Sequence, residues 1–429
     1  MRNRIAIIDG VRTPFCKAGV ELKNISADDL GAYAVKEVLM RSSLEPGQID
    51  ELVFGNVAQP ANAANVARVI ALKAGLAKEM PAVTVHRNCA SGMEAVTTAA
   101  NKILAGEADI LIAGGTESMS NIPLLFNRDM TALFARLMRA KTPFQKMMAL
   151  LSFRPSFLSP IIGIQEGLTD PISGLNMGAT AEVLAREFQL SRLEQDEFAL
   201  ASHLKAVRAM EKGIFAEEIV PVPIPPDFKA VQRHDGGPRA EQTLAALQKL
   251  KPYFDRKNGT VTVGNACPVS DGAAALIVMS EAKAKELGLT PLGYLREYAY
   301  AGLDPHRMGL GPVYATAKLL AKTHLMMKDF ELIELNEAFA AQALACERAF
   351  ASDEFAKTYL GLSKAVGALD MNIVNVNGGA IALGHPVGAT GARLILTLLR
   401  ELRRRGLQTG LATLCIGGGQ GAALALEVN

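Results

Sequence analysis

The feature that most constrains the fold of this chain is an internal repetition. One segment, "ELVFGN", ends at Asn56, and a similar one, "ELIELN", ends at Asn336. A helix pattern that opens and closes at glycine occupies residues 92–106 and precedes the strand pattern "ADILIAGG"; residues 391–406 precede "TGLATLCIGGG" in the same way. Because both matches occur in the same order, they predict a duplicated strand–helix–strand unit within layered α/β structure.

Length and composition exclude several classes of protein. The 429 residues are too many for one ordinary core, so two or three compact units are expected. Hydrophobic residues make up 49% and charged residues 21%, as in a soluble globular protein, and a net charge of +2 gives no reason to expect nucleic acid. The N-terminal apolar run has four residues before Asp9, which predicts a first strand and no signal peptide; no run approaches the roughly 18 residues of a membrane span.

Between the two halves the character of the sequence changes. This region contains the Pro-rich "VPVPIPP" at residues 220–226 and a long helix pattern with a solvated polar face. We therefore expect an inserted loop domain at residues 121–259. The N-terminal half then comprises residues 1–120 and 260–285, and the C-terminal half residues 286–429.

The cysteines indicate reduced thiols. They are odd in number, scattered and without a CxxC pair, which favours a cytoplasmic protein and argues against a metal site. Cys89 stands in "TVHRNCASGMEAV", between a predicted buried strand at residues 81–86 and the helix at residues 92–106. A thiol at the positive end of a helix dipole has a lowered pKa, although a partner base is still needed. From this pattern alone, a reactive thiol and a packing thiol are equally supported.

Two further glycine-rich segments contain candidate partners. His385 lies between glycines and before proline in "NVNGGAIALGHPVGATGARL", and it is the best candidate for the base. Cys415 ends a strand in "LCIGGGQGAALALEV". A dinucleotide loop would need a helix after the glycines, and a strand pattern follows instead. The glycines better suit a turn that presents backbone N–H groups to an oxyanion. A Cys-His hydrolase and a two-step acyl transfer both fit these groups, and the second thiol favours the transfer.

The sequence resembles the thiolase family over nearly its whole length. The motifs that carry the resemblance are "NCASGMEA", "GGTESMSN", "GTVTVGNACPVSDGAAAL", "NEAFAAQ", "GGAIALGHPVGATGAR" and "CIGGGQGAA". The resemblance implies two similar α/β halves in a five-layered αβαβα arrangement, with a loop domain inserted in the first half. It also implies a homodimer or homotetramer, and an acyl-CoA:acetyl-CoA C-acyltransferase that uses coenzyme A thioesters as substrates, without a cofactor or a metal.

The resemblance assigns roles residue by residue. Cys89 matches the nucleophile that accepts the acyl group, His385 the base that activates it, and Cys415 the thiol that moves a proton at the α-carbon. Asn336 matches the residue that holds a water in one oxyanion hole. The N–H groups of Cys89 and Gly417 match the second oxyanion hole.

Substrate contacts are implied at a further set of positions, where the sequence partly departs from the family. Cys267 replaces a serine that touches the pantetheine in many short-chain members, and Asn176 stands where those members often have histidine. Arg239 matches a position near the CoA phosphates, although a solvated charge before a helix explains it equally well. The implied substrate contacts are Arg239, Cys267, Ser270, Met177 and Phe339.

The expected reaction is reversible Claisen condensation or thiolysis of 3-ketoacyl-CoA, in fatty-acid β-oxidation or acetoacetyl-CoA metabolism. The segments "KPYFDRKNGTVT" and "LGYLREYAYAGLDP" resemble the trifunctional-enzyme β subunit, which raises a hydratase–dehydrogenase partner subunit as an expectation. Many members of that subgroup have His before "EAF", so the acyl chain length stays open. The alternatives are a ketoacyl-synthase-type condensing enzyme and a non-catalytic lipid-carrying or scaffold protein.

The segment at residues 124–160 predicts two short amphipathic helices, before and after Pro143. Its apolar positions are rich in Met and Phe. Its polar positions hold one acid, Asp129, and six basic residues: Arg128, Arg136, Arg139, Lys141, Lys146 and Arg154. Packing on the protein's own core is one interpretation. The other is peripheral contact with an anionic membrane surface or with a partner's groove.

Overall fold

Runs of β-branched and other apolar residues form the strands, most of which are buried on both faces. A computed structural model of the protein describes residues 4–429. The strands are β1 (Ile5–Arg12), β2 (Cys16–Lys17), β3 (Glu51–Gly55), β4 (Ala82–Val85), β5 (Ile110–Ser118), β6 (Leu124–Leu125), β7 (Ile161–Ile162), β8 (Val222–Pro223), β9 (Val231–Gln232), β10 (Ser270–Ser280), β11 (Gly293–Gly302), β12 (Leu332–Leu335), β13 (Thr409–Ile416) and β14 (Gln420–Glu427). The strand β1 confirms the predicted N-terminal strand.

One continuous sheet joins the two halves of the chain. Its strand order is β4-β3-β5-β10-β1-β11-β14-β13-β12, and β2 pairs with the start of β10. The halves meet where β1 and β11 pair antiparallel, with Ile5 opposite Leu295 and Ile7 opposite Gly293. Outward from this junction, each half has two antiparallel pairings followed by one parallel pairing. The two similar halves predicted from the repetition are therefore confirmed.

The sheet ends differently in the two halves. In the N-terminal half β4 adds a further parallel strand beside β3, whereas the C-terminal half has a single parallel bridge between Ile333 and Val374. The prediction of a buried strand at residues 81–86 is wrong in one respect. The strand is present, but its side chains are only partly buried and Val83 is 37% exposed. Within residues 4–429, β4 is an edge strand with nothing paired beyond it, whereas the other edge strand, β12, is buried and bridged to Val374.

The helices begin mostly at Ser, Thr or Asn side chains that accept an N–H of the first turn. They are α1 (Ala27–Ser42), α2 (Val66–Ala74), α3 (Ser91–Ala105), α4 (Arg128–Arg139), α5 (Pro143–Leu151), α6 (Gly163–Gly167), α7 (Met177–Glu187), α8 (Arg192–Glu211), α9 (Leu244–Gln248), α10 (Glu281–Glu286), α11 (Gly311–Thr323), α12 (Ala340–Phe350), α13 (Asp353–Phe355), α14 (Ala380–Leu383) and α15 (Val387–Arg405). Tighter or wider helical turns occur at Pro46–Gln48, Met119–Asn121, Pro155–Leu158, Ile214–Glu217, Pro305–Leu310, Met327–Asp329 and Ala356–Leu360. In the part of the chain that the structure describes, no helix is both long and apolar enough to cross a membrane.

Three layers of helices enclose the two halves of the sheet. The outer face of the N-terminal half is covered by α1 and α2, with α10 at its edge. The outer face of the C-terminal half is covered by α11 and α12. Between the half-sheets lie α3 and α15, whose apolar side chains share one core with strands of both halves. The arrangement is thus αβαβα, as the resemblance implied.

The two central helices cross at the glycines that open the repeated pattern. A Cβ atom on Gly92 would lie 2.6 Å from the amide nitrogen of Ala392, and one on Gly391 would lie 2.4 Å from that of Met93. Side chains at these two positions would push the helix backbones apart. The crossing brings the first turns of α3 and α15 together, and those turns follow Cys89 and His385.

The residues between β5 and β10 form α4 to α9. Of these, α8 packs against α9, α12 and α14, so it covers part of the C-terminal half. The helices α4 and α5 confirm the two predicted amphipathic helices, and they form a hairpin around Met130, Leu133 and Ala149. The predicted limits of the loop domain, residues 121–259, remain a prediction.

Candidate active site

The nucleophile candidate Cys89 lies in the tight turn between β4 and α3. Asn88 adopts a left-handed conformation with φ of 44°, which asparagine tolerates better than most residues. The Ser91 hydroxyl closes the turn: it accepts the Arg87 amide at 2.9 Å and donates to the Asn88 carbonyl at 2.7 Å. This turn places the half-buried Cys89 between the strand and the helix, as predicted, and the helix begins two residues later, at Ser91.

A second turn, between β13 and β14, meets the first. Gly418 and Gly419 have φ of 85° and 78°, a conformation that favours glycine. The Asn88 side chain donates to the Gly417 carbonyl at 2.8 Å, which locks the two turns together. Burial raises the pKa of the Cys89 thiol, and backbone N–H bonds from Gly417 and from Cys89 itself oppose that rise. Both amides predicted for the oxyanion hole are therefore close to the Cys89 sulfur, and their role stays a prediction.

The imidazole of His385 is held in one tautomer. Its Nδ1 lies 2.7 Å from the Thr390 hydroxyl oxygen, and that hydroxyl donates its proton to the Pro386 carbonyl at 2.9 Å. Nδ1 must therefore carry the hydrogen, which leaves a lone pair on Nε2. That Nε2 is buried and makes no hydrogen bond with residues 4–429. Burial, and then the charge of Arg393, lowers the pKa of His385 to about 3, so the ring is neutral and its Nε2 carries no proton.

The side chain of Asn336 has no hydrogen-bond partner in the part of the chain that the structure describes. Its backbone follows β12 and donates to the Thr413 carbonyl at 3.0 Å. The side-chain Nδ2 and Oδ1 are both buried, and neither makes a hydrogen bond within residues 4–429. Buried polar atoms normally have partners. The free atoms of Asn336 and of His385 Nε2 are therefore suited to bind a water or a substrate oxygen.

The second thiol lies at the end of β13. Cys415 is 1% exposed, and its pKa is raised by burial and by the neighbouring thiols of Cys89, Cys346 and Cys267. Burial, followed by the charge of Cys89, also raises the pKa of Cys267 to about 12. All five cysteines are free. The thiols of Cys89, Cys267 and Cys415 therefore lie close together.

Comparison with known proteins decides the family. Residues 5–282 match the thiolase N-terminal domain family, and residues 289–428 match the thiolase C-terminal domain family. The chain belongs to the thiolase family. The resemblance found in the sequence motifs is thereby confirmed.

Individual relatives agree with this thiolase along its full length. A 3-ketoacyl-CoA thiolase of Photorhabdus laumondii subsp. laumondii is 44% identical over 430 residues, covering 100% of this chain and 97% of the relative. The crystal structure of the Bacillus anthracis acetyl-CoA acetyltransferase has a TM-score of 0.87 at 39% identity and covers 99% of both chains. The human mitochondrial 3-ketoacyl-CoA thiolase in complex with CoA has a TM-score of 0.85 at 37% identity, covering 100% of this chain and 98% of the other. This thiolase is an acyltransferase, so neither alternative class is adopted.

The predicted substrate contacts of the thiolase fall into two groups. Met177, at the start of α7, has its sulfur 3.3 Å from the position of a Cβ on Gly417, and Cys267 lies near the thiols of Cys89 and Cys415. Ser270 serves the fold: it accepts the His385 amide at 3.1 Å and donates to the Pro268 carbonyl. Phe339 is buried, with its ring 5.9 Å from that of Phe254. The role of each in binding stays a prediction.

Two other positions also stay predictions. Arg239 is exposed and lies close enough to the buried His203 to lower its pKa, so it has a neighbour on α8. Asn176 caps α7, where its side chain accepts the Ala179 amide at 2.8 Å. No group of three or more His, Cys, Asp or Glu side chains in residues 4–429 is placed to hold a metal ion.

Sequence reasoning missed the residues that orient the predicted ones. Asn88 links the two turns, and Thr390 sets the tautomer of His385. A polar residue at i+5 from a loop histidine, within the first turn of the following helix, is a usable signal for Thr390. Asn88 has only a weak signal, because many asparagines occupy turns.

Proposed function

We propose that this thiolase cleaves 3-ketoacyl-CoA with CoA, and catalyses the reverse condensation, through an acyl group carried on Cys89. The observation that carries the proposal is the meeting of the Cys89 turn and the Gly417 turn, which the Asn88 side chain joins by donating to the Gly417 carbonyl at 2.8 Å. The buried Nε2 of His385, which has no partner in residues 4–429, supplies the proposed base. The printed names of the relatives, 3-ketoacyl-CoA thiolase, support this substrate class. CoA bound to the human mitochondrial thiolase supports CoA as the second substrate.

In the first half-reaction, Nε2 of His385 takes the thiol proton of Cys89, and the sulfur attacks the 3-keto carbon. The bond between C2 and C3 then breaks, and its electron pair becomes the enolate of acetyl-CoA. Cys415 donates its thiol proton to C2, which releases acetyl-CoA. A neutral thiol suits this donation, in agreement with the raised pKa of Cys415.

In the second half-reaction, the Cys415 thiolate takes the proton of the CoA thiol. The CoA sulfur attacks the acyl-Cys89 thioester, and Cys89 leaves and recovers its proton from His385. We assign the amides of Cys89 and Gly417 to the oxyanion of this step. We assign Asn336, through a water, and His385 to the oxygen of the CoA thioester. Fixed N–H donors aimed at a developing negative charge are commonly the largest source of rate acceleration.

Acyl transfer to Cys89 tests the proposal. Incubation with acetoacetyl-CoA should leave an acetyl group on Cys89, which peptide mass spectrometry detects. Cys415→Ala should still form acyl-Cys89 but lose exchange of the acetyl-CoA methyl protons with solvent. A label on Cys415 alone, or undiminished exchange in the variant, contradicts the roles. Steady-state thiolysis of 3-ketoacyl-CoAs of roughly four to sixteen carbons then gives the chain-length preference.

We also propose the cellular location, the oligomeric state, the pathway and a partner subunit of the enzyme. We infer a cytoplasmic homodimer or homotetramer that acts in fatty-acid β-oxidation or acetoacetyl-CoA metabolism and associates with a hydratase–dehydrogenase subunit. The partly exposed outer strand β4, directly before the Cys89 turn, supports contact with a second copy. Light scattering should give two or four copies, and a monomer contradicts this. Copurification from native cells tests the partner subunit.

The hairpin of α4 and α5 supports peripheral contact with an anionic membrane surface. Its six basic side chains are exposed, and so are many of its large apolar side chains. Apart from Leu124, Leu125 and Phe126 just before it, the most exposed of these are Met138, Phe144, Met147, Met148, Leu150 and Leu151, at 50–87%. An apolar surface next to basic groups fits an anionic lipid interface, where each cation contributes roughly 1 kcal/mol.

Vesicle binding tests this contact. The thiolase should bind anionic vesicles but not neutral ones, and added salt should weaken this binding. Arg136→Glu with Arg139→Glu should weaken the binding, whereas the charge reversal Lys357→Glu, outside the hairpin, serves as the control. Equal behaviour on both kinds of vesicle contradicts the contact and favours the hairpin as a self-packed unit.

A further inference from the structure

Glu117 is a buried carboxylate near the end of β5 that the proposed mechanism does not use. Its side chain is 0% exposed and accepts four N–H groups. The donors are the side-chain amide of Asn56 at 3.0 Å and the backbone amides of Val57, Ala58 and Gly388 at 3.1, 3.0 and 3.0 Å. Burial raises the pKa of Glu117 to about 7, and the three backbone amides oppose that rise. Four converging donors hold the carboxylate in one position.

The repeat places Glu117 where the other half has Cys415. In the N-terminal half, Glu117 lies two residues after the β5 residue that pairs with the last residue of β3. In the C-terminal half, Cys415 lies two residues after the β13 residue that pairs with the last residue of β12. The pairs that fix this register are Gly55 with Gly115 in one half and Leu335 with Thr413 in the other. A carboxylate therefore occupies, in the N-terminal half, the position that a reactive thiol has in the C-terminal half.

The neighbours of Glu117 follow the same correspondence. Asn56 follows β3 as Asn336 follows β12. Gly388 corresponds to Cys89, because each stands three residues before the glycine at which α3 and α15 cross. The group around Glu117 is thus the counterpart of the active site, with its donors satisfied internally.

Gly388 connects this group to the catalytic imidazole. It is the second residue of α15, and Thr390, which holds Nδ1 of His385, lies two residues further on. A Cβ on Gly388 would lie 2.4 Å from the Thr116 carbonyl oxygen and 3.0 Å from the Glu117 carboxylate, so the helix start is pressed against β5. The carboxylate therefore fastens the first turn of α15 to the N-terminal half, which also carries Cys89.

We propose that Glu117 is a positioning residue for the thiolase reaction: by holding Gly388 it fixes the helix turn that places His385 for proton transfer from Cys89. The proposal rests on the role of His385 proposed above. It assigns Glu117 no contact with substrate. The group around Glu117, at the positions that correspond to the active site, instead stabilises the position of His385.

Glu117→Gln is the most specific substitution for testing this proposal. It keeps the shape of the side chain, but its NH₂ group must face two N–H donors in either orientation, so one pair of hydrogen bonds is lost. A misplacement near 1 Å can cost about 100-fold in rate. We therefore expect kcat for thiolysis to fall on the order of 10- to 100-fold, with the KM for CoA changed less than about twofold.

A double-mutant cycle that combines Glu117→Gln with His385→Asn tests whether Glu117 acts through His385. The measured quantity is the rate of Cys89 alkylation by iodoacetamide, which remains measurable in variants without turnover. Each single variant should slow alkylation, and the double variant should be no slower than His385→Asn alone. The negative charge of Glu117 raises the pKa of the Cys89 thiol, so a purely electrostatic role predicts faster alkylation in Glu117→Gln. Faster alkylation or additive losses overturn the proposal.

Glu182→Gln is the matched control. Glu182 is also a buried carboxylate that accepts backbone amides, those of Thr260 and Val261 at 3.0 and 2.8 Å. It should lower thermal stability without slowing alkylation. If Glu117→Gln does not fold, Glu117→Asp, which keeps the charge but shortens its reach, replaces it in the cycle with the same expected outcomes. A His385→Asn variant with full activity would instead refute the proposed function.

Discussion

At the scale of single residues, two asparagines at equivalent positions of the two halves have opposite surroundings. The Asn56 amide donates to the Thr116 carbonyl and to Glu117, both at 3.0 Å. The Asn336 side chain has no partner among residues 4–429, although it is 0% exposed. An unpaired buried amide costs roughly 1–3 kcal/mol. This cost arises in the half where Cys415 of β13 occupies the position that the Glu117 carboxylate has in the other half.

Thr390 gives a prediction at the same scale. Thr390→Val removes the acceptor of the His385 Nδ1–H bond and the donor to Pro386, so the lone pair no longer stays on Nε2. Loss of such a bond in a buried site costs about 1–3 kcal/mol, which corresponds to a fall in kcat of roughly 5- to 150-fold. Steady-state thiolysis measures it. Thr390→Ser keeps the hydroxyl and should restore most of the rate; equal losses in the two variants would argue against the tautomer.

The sequence was enough to propose the reactive residues, but it did not indicate the residues that hold them in place. The types and neighbours of Cys89, His385 and Cys415 pointed to acyl transfer. By contrast, Asn88 and Glu117 act through partners that are 329 and 271 residues away in the chain. Such pairs depend on strand register and helix crossing, which a local pattern does not contain.

At the scale of helices and strands, the duplicated pattern predicted the elements and their order well. The strand β4 shows the limit of that reasoning. Its residues resemble those of a buried strand, yet it is an edge strand with no further pairing in the described residues, and Val83 is exposed. Burial depends on the position of a strand in the sheet, and the sheet order follows from long-range pairing. Composition alone cannot distinguish an edge strand from a central one.

The crossing of α3 and α15 gives a prediction for these elements. Gly391→Ala places a methyl group 2.4 Å from the Met93 amide nitrogen and 2.9 Å from its Cγ. Since backbone cannot yield as a side chain does, we expect a loss of roughly 1–3 kcal/mol in the free energy of unfolding. Thiolysis should also fall, because Cys89 and His385 precede the displaced turns. Chemical denaturation and steady-state kinetics measure the two effects.

A glycine in open space is the control for this change. A Cβ on Gly47 meets no atom within 4 Å, and its φ is not positive. Gly47→Ala should therefore leave stability and kcat near those of the wild type. If Gly391→Ala were equally harmless, the close approach of the two helices would not limit the fold.

At the scale of the whole molecule, the halves are fused into one body. They share a continuous sheet through β1 and β11 and one core around α3 and α15. The buried titratable groups are distributed across both halves. Burial raises the pKa of Glu117 and of Glu334 to about 7, and it lowers the pKa of His203 and of His385 to about 4 and about 3. Protonation therefore couples to the stability of the entire fold.

The signs of these contributions differ. A carboxyl group with a raised pKa contributes most stability below its unfolded pKa near 4.5, and that contribution is lost as the pH rises towards 7. A histidine with a lowered pKa contributes stability above its unfolded pKa near 6.5, and that contribution is lost as the pH falls towards 4 or 3. Between pH 7 and 4.5 the two kinds of group oppose each other. Below pH 4.5, only the histidines of these four groups still act, and carboxyl groups with a lowered pKa, such as Asp28, lose their contribution in the same direction, so stability should fall.

His203 allows one contribution to be isolated. It lies on α8 with 5% exposure and an Nδ1 that has no partner in the described chain, beside the charge of Arg239. From pH 7 to pH 4.5, the unfolded state of the wild type gains a proton at this residue that the folded state does not. His203→Asn removes that difference, so its free energy of unfolding should decline less than that of the wild type, by up to roughly 2–3 kcal/mol over this range. Urea denaturation at half-unit pH intervals measures both curves. Parallel curves would mean that His203 titrates equally in both states, and a steeper decline in the variant would reverse the assigned sign.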